Sequence, residues 1–122
     1  MRKAIEGPAK PRFCFSHAIV ANGFVFVTGQ GPMDNATGAS PDNFEAQVRQ
    51  TLGNLKTVLG MAGAEMKDVV KVTVYLTDLT RFAAYDGIYR EFFPTEPPAR
   101  TTIGCQLPGI LVEMDCIAVL PD

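Results

Sequence analysis

Arg100 is the side chain best placed to do chemistry. It follows two prolines, Pro97 and Pro98, that stiffen its approach, and it opens a run of short or β-branched residues, Thr101, Thr102 and Ile103. A guanidinium there has little freedom, is always charged and presents a planar fork suited to a carboxylate. Each charge-assisted bond from that fork is worth roughly 1.5–3 kcal/mol when water is excluded. A structural arginine paired with a local acid is the other reading of the same residue. Glu113 and Asp115 offer complementary chemistry. They lie two apart in an alternating segment and so share one face with Leu111, Ile117 and Val119, while Val112, Met114, Cys116 and Ala118 make the other. A carboxylate on a face otherwise apolar can position or deprotonate a water. Equally, either acid can close a salt bridge across a subunit contact.

Other chemistries fit poorly. A Ser-His-Asp triad would need His17, whose neighbour Ser16 points to the opposite face of a strand. Gly29 and Gly31 lack the third glycine of a dinucleotide fingerprint and run into Pro32 instead of a helix. Cys14, Cys105 and Cys116 are odd in number without metal-like spacing, and Cys105 and Cys116 read as small buried hydrophobes on strands. Neither metal nor cofactor is expected. With 122 residues and a net charge of −2, the chain has the size of one domain and no basic stripe for a nucleic acid. No apolar run approaches the ~18 residues of a membrane span. Arg2 and Lys3 lead into Glu6, Gly7 and Pro8, unlike a signal peptide, so a cytoplasmic protein is expected.

Hydrophobic spacing supplies the elements that must position these groups. Residues 1–12, with Pro8 and Pro11, read as an extended, weakly ordered arm. Residues 13–21 and 24–28 read as strands joined at Asn22-Gly23, a hairpin signal. A loop over 29–41 precedes a helix carrying Phe44, Val48, Leu52, Leu55, Val58, Leu59 and Ala62, which Gly63 stops. Its start is either Asp42 with Glu45 as a capping box or Ser40 with Pro41. In a strand over 69–76, Val70, Val72, Val74 and Leu76 fill one face, and Lys71, Thr73 and Tyr75 the other. Asp78 can cap a second helix, with Phe82, Tyr85, Tyr89 and Phe92 or Phe93 as its stripe. Strands over 99–105 and 111–120 complete a ββαβαββ order in a single domain over 1–122. Two helices cover only one face of such a sheet. Yet Val25 and Val27 face one way and Phe24 and Phe26 the other, so the second apolar face needs a cover, and a homo-oligomer is expected.

Four segments carry a resemblance. Val27-Thr28-Gly29-Gln30, the run 69–79, the stretch Ile88-Tyr89-Arg90-Glu91-Phe92-Phe93 with Pro98-Ala99-Arg100-Thr101, and the closing 112–119 together resemble the Rid (reactive intermediate deaminase, YjgF-like) family. The likeness spans nearly the whole chain from Phe13 onward. It implies an α+β, chorismate-mutase-like fold with two helices on one face of the sheet, assembled as a homotrimer with clefts between subunits. It further implies hydrolysis of enamine and imine acids, such as 2-aminoacrylate and 2-iminopropanoate, to 2-oxo acids and ammonia. Such intermediates leak from pyridoxal-phosphate enzymes and damage them. By the same resemblance Arg100 grips the substrate carboxylate, a backbone group at Gly29 faces the substrate, and Glu113 contacts the hydrolytic water. Phe15 stands where a tyrosine is usual, Asp86 where an asparagine is frequent, Thr102 where cysteine or alanine is common, and His17 in place of a glutamine. Phe15, Asp86 and Thr102 are therefore the substrate-binding positions at which specificity would differ. A larger imine such as 2-aminomuconate, or a non-catalytic module that binds a carboxylate, is the alternative. A ribonuclease or translation inhibitor, labels some relatives carry, fits poorly with an acidic chain and a single histidine.

Overall fold

Alternation along Val112–Val119 separates the two faces of the sheet: Val112, Met114, Cys116 and Ala118 are buried, and Glu113, Asp115, Ile117 and Val119 look the other way. The computed structural model describes all 122 residues. Six strands appear: Arg2–Ile5 (β1), Ala18–Ala21 (β2), Phe24–Gln30 (β3), Val69–Leu76 (β4), Ala99–Gly104 (β5) and Val112–Val119 (β6). They form one sheet in the order β1-β2-β3-β6-β4-β5. All neighbours are antiparallel except β4 and β5. That parallel pair needs a crossover, which the helix Phe82–Phe92 (α2) supplies.

The helix Phe44–Met61 (α1) buries Phe44, Val48, Leu52, Leu55, Val58 and Leu59, and α2 buries Tyr85, Ile88 and Tyr89. With Val25, Val27, Val72, Val74 and Leu76 these close one core beneath the helices. The architecture is α+β, with both helices on one face. Neither helix is long and apolar enough to cross a membrane. On the face without helices, Phe24 and Phe26 remain 40% and 45% exposed beside their partners Val119 and Ile117. That is the bare apolar surface expected from the strand pattern.

Several local expectations are corrected. The order is βββαβαββ, because Arg2–Ile5 pairs with Ala18–Ala21 and adds an edge strand where an arm was expected. The first predicted strand shortens to Ala18–Ala21: a last bond joins Thr28 N–H to His17 O at 2.9 Å, after which β3 shifts register against β6 and residues 13–16 lose their partner. The hairpin at Asn22-Gly23 forms as expected, with φ of 51° and 78°. Asn43, not Asp42 or Ser40, caps α1, its side chain accepting from Ala46 N–H at 2.8 Å. Val70 is exposed, since a bulge between Val69 and Lys71 takes it out of the alternation. Asp78 caps a short 3-10 turn, Leu79–Arg81, that feeds α2. Phe82 is exposed, and Ile88 takes the buried position the aromatic stripe left out. Cys116 is buried on its strand, but Cys105 lies just past β5 and only half-buried.

Candidate active site

Arg100 lies on the edge strand β5, level with Val72 on β4, so its side chain is on the helix-bearing face. Three rings of α2, at positions 82, 85 and 89, line up along one side of the helix and meet it. The guanidinium carbon stands 5.3 Å from the Phe82 ring centroid, 5.1 Å from Tyr85 and 4.6 Å from Tyr89. Each such cation–ring contact contributes about 0.5–1 kcal/mol, more where water is excluded. Arg100 Nη1 donates to Asp86 Oδ1 at 2.8 Å, and Arg90 Nε, one turn on along α2, donates to Asp86 Oδ2 at 3.0 Å. The hydrogen bond from Arg100 is the main reason the Asp86 carboxyl sits below its ordinary range; partial burial opposes it and Arg90 adds to it. Arg100 and Asp86 are 22% and 21% exposed, against 78% for Arg90.

Both readings of Arg100 thus meet in one place. It is paired with an acid of its own chain, and it borders a cleft of about 430 Å³ lined by Asp86, Tyr89, Arg90 and the prolines Pro94, Pro97 and Pro98. Asp86 takes one terminal nitrogen, and the Nε–Nη2 edge of the fork is left for a second carboxylate. Thr102, two residues further along β5, shares this face, and its hydroxyl is hydrogen-bonded to the Tyr85 hydroxyl. Burial pushes the Tyr85 phenol up, while Thr102 and the Arg100 charge pull it back. The Tyr89 hydroxyl is buried without a partner.

Glu113 and Gly29 belong to the opposite face. Glu113 is level with Tyr75, and a Cβ added at Gly29 would run into the Glu113 carboxylate. A bare glycine at 29 is what admits that carboxylate against the β3 backbone. Burial, then the neighbouring Asp115 charge, raises the Glu113 carboxyl above its ordinary value, and no donor or cation offsets them. Asp115 is already engaged, accepting from the Tyr75 hydroxyl at 2.8 Å, a bond that is the main cause of that phenol being pushed up to about 12. Of the two acids on this face, Glu113 is the one without a hydrogen-bond partner. Phe15 lies on the same side, in a hollow of about 310 Å³ with Ile19, Phe26 and Thr28. Its ring meets that of His17 edge-on. The partners of His17 set its tautomer: Gln30 Nε2 donates to Nδ1 at 3.3 Å, and Nε2–H donates to Ala9 O at 2.9 Å. His17 ties the N-terminal segment to β3.

One chain therefore gathers the six candidate residues into two groups, Arg100 with Asp86 and Thr102 on one face, and Gly29, Glu113 and Phe15 on the other. Arg90 was missed, although its i, i+4 spacing from Asp86 was visible. The aromatic cage was legible only as a core stripe. Gln47 and Asn54 were missed entirely. They are buried polar residues on α1 whose side chains hold the loops flanking the Glu113 face. Asn54 donates to Gly31 O at 2.9 Å and Met33 O at 2.8 Å. Gln47 donates to Pro41 O and accepts from Leu111 N–H, both at 2.9 Å. A polar residue at a core-facing helix position carries no local signal of its backbone partners.

The family profile described as Endoribonuclease L-PSP matches residues 6–120. A RutC family protein of Pyrococcus abyssi is 41% identical over 116 residues, covering 93% of this chain and 91% of that protein. The solved structure of YyfA from Yersinia pestis, of the Rid protein family, superposes with a TM-score of 0.92 at 34% identity, covering 98% of this chain and 100% of the other. RidA from an Antarctic Psychrobacter superposes with a TM-score of 0.88 at 31% identity, over 94% of each chain.

Proposed function

We propose that this chain, which belongs to the endoribonuclease L-PSP family together with Rid, RutC and YjgF proteins, hydrolyses enamine and imine acids of the 2-aminoacrylate and 2-iminopropanoate type to 2-oxo acids and ammonia. The observation that carries this reading is the pair of half-sites: a caged guanidinium with a free edge on one face, and an uncommitted carboxylate with raised proton affinity on the other. Two copies of the chain, arranged around a three-fold axis, bring the Arg100 group of one against the Glu113 group of the next, and the bare Phe24 and Phe26 face supports such an assembly.

The substrate carboxylate lies on the Nε–Nη2 edge of Arg100. An enamine first tautomerises to its imine; protonation at nitrogen then leaves an iminium carbon that water attacks directly. The water oxygen bonds to that carbon as the carbon–nitrogen π pair moves to nitrogen; Glu113 accepts one water proton and returns it to nitrogen. The carbon–nitrogen bond then breaks as the hydroxyl oxygen forms the carbonyl, and the hydroxyl proton passes to the departing ammonia. Iminium acid plus water gives 2-oxo acid plus ammonium, so atoms and charge balance. Holding both reactants in one dry cleft supplies several kcal/mol through proximity and orientation. Net charge of −2, and a single histidine with both ring nitrogens occupied, support a small acid over an RNA backbone as substrate. The same reading assigns the protein to the cytoplasm. The test is 2-oxo acid release from imines generated in situ by an amino-acid oxidase. Acceleration by the wild type that Arg100→Ala abolishes supports the reading, and equal rates in both reject it.

A further inference from the structure

We infer that Asp86 is a specificity-determining residue: by bridging Arg90 and Arg100 it holds the cleft at a charge suited to one carboxylate and so turns away dicarboxylic acids. This rests on the reading of Arg100 as the carboxylate anchor.

Two guanidinium groups border the same cleft, and Asp86 lies between them, one oxygen on each, at 2.8 Å from Arg100 and 3.0 Å from Arg90. Without that carboxylate the pair would offer +2, matched to an acid with two carboxylates. With it the trio is +1, matched to a single carboxylate on the free edge of Arg100. Arg90 is the exposed member, at 78%, and forms the natural seat for a distal carboxylate because it lines the cleft one helical turn from Asp86. Asp86 occupies that seat from within the chain. The size of the cleft, about 430 Å³, does not exclude a longer acid, so discrimination has to come from charge. A second carboxylate meets an arginine already neutralised and a like charge beside it, and neither penalty applies to a substrate with an alkyl side chain.

The experiment measures binding of stable 2-oxo acids by calorimetry, 2-oxobutanoate against 2-oxoglutarate, to the intact protein. The wild type, Asp86→Asn and the double variant Asp86→Asn with Arg90→Ala are compared, with Arg100→Ala as reference. Thermal melts establish that each is folded. Wild type should favour 2-oxobutanoate. Asp86→Asn should shift the affinity ratio toward 2-oxoglutarate by roughly tenfold, the effect of one unit charge a few ångströms away in a partly solvated cleft. Adding Arg90→Ala should cancel that shift. An unchanged ratio in Asp86→Asn, while Arg100→Ala loses both acids, overturns the role of Asp86 and leaves the anchor intact. Equal binding of both acids to wild type and Arg100→Ala overturns the anchor, and this inference with it.

Discussion

Arg100 and Glu113 stand on opposite faces of one sheet: Arg100 is level with Val72 beneath the rings of α2, and Glu113 is level with Tyr75 on the side without helices. Pairing across β5, β4 and β6 sets this arrangement, because residues paired across neighbouring strands share a face and each strand alternates. Each side chain projects from its own face. An active centre that uses both groups must therefore draw them from two copies of the chain. Each copy then carries one half of two different centres.

Replacing Arg100 by alanine removes the carboxylate fork. Losing two charge-assisted bonds, about 3 kcal/mol together, should lower kcat/KM by roughly a hundredfold or more. Arg100→Lys should recover little, because a point charge does not reproduce the fork. Steady-state turnover of in situ imines checks both, and a lysine variant near wild type would contradict the bidentate hold.

Gly29→Ala should lower turnover with little loss of stability. The added methyl displaces the Glu113 carboxylate, the flexible end of a side chain, and the φ of Gly29 is not in the left-handed region. The expected signature is a fall in kcat with KM little changed, as the anchor on the other face is untouched. A kcat equal to wild type would show that Glu113 does not work from the position seen here.

The pH dependence follows from the raised Glu113 carboxyl. A base must be ionised, so the acid limb of kcat/KM should lie above the ordinary value of 4.5 and should vanish in Glu113→Gln. The same shift has a stability consequence. The folded chain holds this proton more tightly than the unfolded chain, so stability falls as pH rises from the unfolded value through the folded one. Glu113→Gln should accordingly be stabilising relative to wild type at neutral pH and neutral near pH 4, as roughly both states are then protonated. Urea unfolding at the two pH values measures this, and a variant less stable at neutral pH would contradict it.

Asn54→Ala should leave Gly31 O, which is buried, and Met33 O, which is part-buried, without their donor. One buried acceptor left unpaired and a second bond lost amount to about 1–3 kcal/mol of stability. The loop beyond Gly29 should loosen with them, giving faster amide exchange near Gly31 and a lower kcat. Exchange rates unchanged in this loop would reduce Asn54 to a packing residue.

Much of this arrangement was legible in the residues. Spacing along α1, alternation along β6 and the Asn22-Gly23 turn each follow from local periodicity, and all three stand. Arg100 and Glu113 stood out because their types are unusual for their positions, and Gly29 entered the site only through the family resemblance. What local pattern did not carry is pairing. β1 is polar and short, and it becomes a strand only because β2 offers a free edge. The bulge at Val70 depends on register against β6. The faces of Arg100 and Glu113 depend on which strands adjoin, so their separation could not be seen before the topology was known. Gln47 and Asn54 carry no local sign of their role until the loops they hold come into view.

Subunit complementation tests the two-chain centre most directly. Arg100→Ala and Glu113→Gln proteins, each with only residual activity alone, are unfolded together, refolded as a mixture and assayed on in situ imines. If one copy supplies Arg100 and its neighbour Glu113, random assortment restores roughly a quarter of the centres, and activity returns to about that fraction of wild type. A mixture that stays as inactive as its components, with mixed oligomers verified by mass spectrometry, would contradict a centre shared between chains.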